Sequence, residues 1–236
     1  MRTDAAFVAS RLARLERRIK LAADSAAAGG GEAAARVRVV GVTKYLAAAQ
    51  MGALRQAGLM LFGENRVQDA LPKLELLRGE AAPQEWHFIG TVQGNKARAV
   101  TGRFALIHSV DRLELARRIS QAATEQGLRQ DVLLEVNISG EASKHGFEAA
   151  ELEALWPELA RLPGLGIRGL MGMAAEDAPA RPAFRALRLL RDRLDPGRRL
   201  LGELSMGMSG DFEAAVAEGA TLLRIGRSLF SEEAEI

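Results

Sequence analysis

From Val37 onward one pattern recurs along the chain: a short apolar run, often β-branched, followed by a longer amphipathic stretch. Such alternation builds a parallel sheet, because parallel neighbours need a crossover long enough to hold a helix. The predicted strands are Val37–Thr43, Leu59–Phe62, Trp86–Ile89, Ala105–His108, Val132–Ile138, Ile167–Met171, Leu201–Ser205 and Thr221–Ile225. Helices are predicted over Ala47–Ala57, Val67–Leu77, Asp111–Glu125, Ala149–Leu162 and Pro182–Leu194, with short ones starting near Gln93, Asp211 and Arg227. An open doubly wound sheet shares this rhythm but gathers its polar strand ends at one switch point. Here almost every run closes on small or polar residues: Lys44, Gly63-Glu64-Asn65, Gly90, His108-Ser109, Asn137, Met171-Gly172 and Gly226. A (β/α)₈ barrel draws its site from all of those ends. That α/β fold is the expectation.

Ahead of the barrel, Phe7, Val8, Leu12, Leu15, Ile19 and Ala22 recur at helical spacing, and Gly29 to Gly31 break the helix. The expected organisation is a single domain over 1–236, with an N-terminal helix and glycine loop in 1–31 and the barrel in 37–230. At 236 residues and 48% hydrophobic, the chain can bury a core of that size. Its 32 Lys and Arg against 30 Asp and Glu are scattered rather than gathered on one face, which argues against nucleic acid. With no cysteine, disulfides, thiolate metal sites and a cysteine nucleophile all drop out. The three histidines show no metal-ligand spacing. The Arg-rich first 20 residues hold no apolar run, so no signal peptide or membrane span is read, and a cytoplasmic monomer is expected.

Lys44 terminates the first strand. Partial desolvation at a barrel mouth favours amine nucleophilicity and addition to a carbonyl; the same position also suits a lysine that marks where a strand meets water. Ser205-Met206-Gly207-Met208-Ser209-Gly210-Asp211 follows the seventh strand and Arg224-Ile225-Gly226-Arg227-Ser228 the eighth. Barrels often bind phosphate there, where free N–H groups and a helix dipole converge. Gly210 and Gly226 permit close backbone approach and Ser209 offers a hydroxyl, although Ser209 and Asp211 also suit ordinary N-caps. Facing inward, Arg224 would place a permanent charge near the middle of a ligand whose phosphate rests on Gly226.

Further stretches extend the pattern: Val42-Thr-Lys44, Phe62-Gly-Glu-Asn65, Trp86-His-Phe-Ile-Gly90, Gln93, Asn95, Lys96, His108-Ser-Val-Asp111, Val136-Asn-Ile138, Ser143-Lys144 with Gly146, and Arg168-Gly-Leu-Met171. In this order over Val39 to Phe230 the chain resembles the pyridoxal phosphate (PLP) homeostasis proteins, whose fold is similar to the N-terminal barrel of alanine racemase. The resemblance implies PLP as cofactor, held as a Schiff base on Lys44. It further implies Asn65 lining the ring's mouth side, Met208 near the cofactor, phosphate contacts from Ser209 and Gly226, and Arg224 as partner of the pyridine nitrogen. Arginine there leaves that nitrogen unprotonated and weakens the electron sink. Two departures stand out. The family places Thr or Ser straight after Ile-Gly, where this chain has Arg227 and then Ser228, so either of these completes the phosphate cup. Its Phe-Gly-x-Arg ending is here Phe230-Ser231-Glu232-Glu233.

The function implied is a PLP carrier and regulator of B6-vitamer and amino-acid balance without strong catalysis, exchanging PLP with other amines or apo-enzymes. The alternative is a PLP-dependent amino-acid racemase of low activity. That reaction needs a base on each face of the α-carbon, and the one tyrosine, Tyr45, adjoins Lys44 and should point to the opposite face of a strand. His87 and His108 lie near strand ends, where a histidine could substitute as that base, but each reads first as a satisfied barrel residue. A third reading is a barrel for another phosphorylated metabolite, with Lys44 an ion-pair partner. Ser143-Lys144-His145-Gly146 reads as a basic lip or a solvated loop. Met171, Met173, Met206 and Met208 read as a thioether cluster at the barrel top, and Arg185, Arg188 and Arg191 as the wet side of an outer helix.

Overall fold

In the computed structural model, which describes residues 1–26, 36–78, 84–141 and 145–232, the alternation becomes a closed barrel of parallel strands paired in sequence order, β8 returning to β1. The strands are β1 (Arg38–Val42), β2 (Leu61–Glu64), β3 (Glu85–Phe88), β4 (Leu106–Val110), β5 (Gln130–Glu135), β6 (Leu165–Met171), β7 (Glu203–Ser205) and β8 (Leu222–Ile225). The helices are α1 (Ala5–Ala26), α2 (Met51–Gln56), α3 (Val67–Leu76), α4 (Ala97–Val100), α5 (Leu113–Glu125), α6 (Ala149–Leu159), α7 (Ala180–Leu194), α8 (Phe212–Ala217) and α9 (Arg227–Phe230). None of the helices among the described residues is long and apolar enough to cross a membrane.

Several strand limits moved for local reasons. Leu59 was expected to open a strand, but its N–H bonds Leu54 O at 3.0 Å while Gly58 N–H bonds Arg55 O at 2.8 Å. With Gly58 at φ +91° this is the Schellman ending of α2, so β2 starts two residues later. Leu201 is likewise held outside β7, its N–H and that of Leu200 bonding Asp195 Oδ2 at 2.8 and 2.7 Å. β5 stops at Glu135 because Asn137 N–H turns to Phe147 O at 3.0 Å.

Period-two alternation divides the apolar residues into two bodies. Val40, Leu61, Leu106, Leu133, Met171 and Leu222 fill the barrel interior. Phe62, Trp86, Phe88, Ile107, Val132 and Leu170 point outward into the layer shared with the helices. α1 buries Val8, Leu12, Leu15, Ile19 and Ala23 as one stripe, and the chain start is tied to the last helix by Arg2 N–H donating to Phe230 O at 2.7 Å. Arg191 departs from its expected place on wet helix surface: it is 4% exposed. It sits seven residues after Phe184 and four after Leu187, on the buried stripe of α7.

Two cores also separate the methionines. Met171 belongs to the barrel interior and Met206 to the outer layer, so the expected thioether cluster does not form. The glycine loop and the Ser143-Lys144 pair lie outside the described residues.

Candidate ligand-binding site

The candidate residues come from four consecutive staves of the barrel. β8 pairs with β1 through Val40–Arg224 and Gly41–Ile225, and β1 with β2 through Val42–Gly63. Around the C-terminal mouth this sets Ser209 after β7, Arg224 and Gly226 on or after β8, Lys44 after β1 and Asn65 after β2 in one arc.

Lys44 lies half-buried in the turn that follows β1. Its Nζ stands 4.8 Å from the centroid of the Tyr45 ring, and it makes no ion pair among the described residues. Tyr45 was expected on the opposite strand face. Because both residues are in a turn, alternation no longer governs them, and Tyr45 packs beside Lys44 with 68% of its surface exposed. Behind Lys44 the strand end is anchored by a buried cluster. Thr43 Oγ1 donates to Glu64 Oε1 at 2.5 Å, and Lys73 Nζ donates to Glu64 Oε1 at 2.7 Å and to Thr43 O at 2.8 Å.

The two phosphate-end loops meet through their serines, Ser228 Oγ donating to Ser209 Oγ at 2.7 Å. Ser228 is buried and Arg227 exposed. Gly207 makes the first loop possible: at φ +94°, a Cβ there would lie 2.6 Å from Ala215 Cβ. Met208 is 38% exposed, and its N–H donates to Asp211 Oδ1 at 2.6 Å. Asn65 is half-buried and held by Gly90, whose pro-Cβ position is 2.1 Å from Asn65 O.

Arg224 does face inward and is 6% exposed. Nη1 donates to Ser205 O and Oγ at 2.8 and 2.6 Å, and Nη2 to Gly172 O at 3.1 Å. Three of five N–H donors are thereby used, leaving Nε–H and one on Nη2. Burial lowers its pKa to about 10, against the opposing pull of Glu135 and Asp211.

Glu135, at the inner end of β5, was not singled out from sequence. Burial, then the neighbouring Asp111 carboxylate, pushes its pKa up to about 7, with Arg224 and His145 acting in the other direction. Since the folded-state pKa lies above the ordinary 4.5, the stabilisation from keeping this carboxyl protonated is full below pH 4.5 and lost as pH rises through 7. The shift corresponds to about 3 kcal/mol. Glu135→Gln is expected to remove most of that loss, so urea denaturation should show a much flatter stability profile from about pH 4.5 to 8. An unchanged profile would place the titration elsewhere.

A cavity of about 700 Å³ lies at the other end of the barrel, among Leu12, Ile19, Arg38, Leu59, Met60 and Glu85. The convergence of an amine, hydroxyls and a guanidinium decides for the C-terminal mouth. No cluster among the described residues could hold a metal ion.

Fold and mouth define a (β/α)₈ barrel with a lysine closing its first strand and a serine pair after its seventh and eighth. The family model described as alanine racemase, N-terminal domain, matches residues 11–233. The chain belongs to that family and, within it, to the pyridoxal phosphate homeostasis proteins. It is 42% identical to the pyridoxal phosphate homeostasis protein of Aquifex aeolicus, covering 94% of this chain and 96% of the relative. With that of Pseudomonas aeruginosa it shares 43% identity, covering 94% of each. The structure of PipY from Synechococcus elongatus with PLP bound matches at TM-score 0.80 and 36% identity, covering 95% of this chain and 100% of that one. Alanine racemase from Corynebacterium glutamicum shares the fold at TM-score 0.69 and 18% identity, over 97% of this chain and 62% of that one.

Proposed function

We propose that this protein binds PLP covalently through Lys44 and serves PLP balance as a carrier without strong catalysis. The observation that carries the reading is the arc itself: one lysine, two hydrogen-bonded serines and an inward arginine on adjacent staves. The donor set fits the group. PLP, when bound, supplies an aldehyde to which amines add reversibly. Lys44 Nζ, without a carboxylate partner among the described residues, is available for that bond. Ser209, Ser228 and the backbone at Gly226 would receive the phosphate. Burial favours Ser228 over Arg227 as the residue completing the cup. Asn65 would border the ring on the mouth side, with Met208 near it. Arg224, with two N–H groups unspent, would donate to the pyridine nitrogen and keep it unprotonated, which would hold the electron sink weak.

Tyr45 supports weak catalysis: it sits beside Lys44 rather than across from it and so offers no second base on the far face of a substrate. The partners are PLP and apo PLP-enzymes that accept it. The chain acts as one domain and as a monomer in the cytoplasm, and surface ion pairs such as Arg117–Glu158 and Arg193–Glu153 support a reading without a nucleic-acid partner.

Purified protein given PLP is expected to show a visible absorption band that is lost completely in Lys44→Ala. Retention of the band in the variant would move the attachment elsewhere. Rapid α-proton exchange of L-alanine in deuterated water by the loaded protein would reinstate the racemase.

A further inference from the structure

A continuous line of side chains crosses the barrel interior beneath the proposed site. Glu85 Oε1 lies 2.7 Å from His87 Nε2, and His87 Nδ1 lies 2.8 Å from His108 Nε2. His108 Nδ1 is 2.9 Å from Ser205 Oγ, which accepts from Arg224 Nη1 at 2.6 Å. The groups come from β3, β4, β7 and β8 and run from the N-terminal mouth, where Glu85 is partly exposed, to the arginine at the other end. Both histidines and Ser205 are fully or almost fully buried.

Chemistry sets the direction of every proton in this line. Glu85 is held down to about 2, first by the hydrogen bond from His87, so it only accepts. His87 must therefore carry its proton on Nε2. Burial disfavours the charged form of both rings, lowering His87 and, further, His108. A neutral His87 then accepts at Nδ1, His108 donates from Nε2 and accepts at Nδ1, and the Ser205 hydroxyl donates to it. Ser205 Oγ is left to accept from Arg224. The charged groups around the line are Arg38, which bridges Glu85 at 3.0 Å and Glu203 at 3.3 Å, with Arg224 at the far end. Protonation at His87 would reverse the upper bonds and turn His108 Nδ1–H toward Ser205.

We propose that Ser205, His108, His87 and Glu85 form a one-directional hydrogen-bond relay that positions the Arg224 guanidinium and sets how strongly it donates to the bound ligand. The far mouth of the barrel is thereby coupled to the electronic state of the cofactor. His87 and His108 are positioning residues, and the idea rests on the PLP reading above.

Two measurements test it. In ligand-free protein, long-range ¹H–¹⁵N spectra at neutral pH should show both His87 and His108 as neutral Nε2–H tautomers. An Nδ1–H tautomer or a charged ring at either position would overturn the relay. In PLP-loaded protein, His108→Phe and the partly exposed Glu85→Gln should each shift the pH midpoint of the visible band by roughly half to one unit, the equivalent of one hydrogen bond. His108→Gln, which can accept and donate in the same line, should restore part of it. Lys44 labelling by borohydride should persist in all three. Labelling with an unmoved midpoint would overturn the relay alone. No labelling in the parent would overturn the PLP reading and the tuning role together.

Discussion

Replacing Lys73 with methionine is expected to destabilise the protein by about 3–5 kcal/mol, the loss typical of removing one partner of a buried ion pair. The Lys73 side chain is 4% exposed and that of Glu64 0%. Glu64 Oε2 already lacks a hydrogen-bond partner among the described atoms. Without Lys73 the Glu64 carboxylate keeps only the Thr43 hydroxyl, and Thr43 O keeps only the Leu46 N–H at 2.9 Å. For a chain of this length the change lowers Tm by roughly 10 °C. Adding Glu64→Gln should recover a large part of it, since the cost is that of a stranded charge rather than of lost attraction. Urea titration of the parent, the single and the double variant gives the comparison. Equal stability of all three would mean that the pair is not buried as described. The consequence reaches the site: Thr43 precedes Lys44, so the single variant should also loosen the turn that aims the amine.

Gly90→Ala is the second large effect. The added Cβ would stand 2.1 Å from Asn65 O and 2.7 Å from Asn65 C and Cα, all backbone atoms that cannot rotate away. Overpacking of this kind costs about 1–3 kcal/mol or more. Because the obstructed backbone is that of a proposed ring contact, PLP affinity should fall together with stability. Gly202→Ala is the control, having nothing within 4 Å of its added Cβ and lying ahead of β7, at the end of the barrel away from the proposed site. A melt of Gly90→Ala matching the parent would contradict the close approach.

Much of the architecture was legible because a barrel repeats one local rule. The closed order of strands follows from eight apolar runs with polar ends, and helix starts such as Val67 and Ala149 were read correctly. Strand edges were less legible: Leu59 looks like strand by composition, yet a glycine-ended helix captures its backbone. Arg191 looks solvated by type, yet helical geometry sets it on the buried stripe. Of the proposed site, Lys44, Arg224 and Ser209 are singled out in the sequence by strand-end position and family motif. Glu135 and the His87–His108 line did not, because their meaning lies in contacts between strands 21 to 97 residues apart. Strict alternation would have set His87 and Leu106 on neighbouring inner positions, but the distances that turn two histidines into a relay exist only in the closed barrel.

The most direct test of the central claim is borohydride reduction of the PLP-treated protein followed by peptide mapping. The account predicts a single phosphopyridoxyl addition, carried by the peptide that contains Lys44. Addition at another lysine, or none despite saturating PLP, would contradict it.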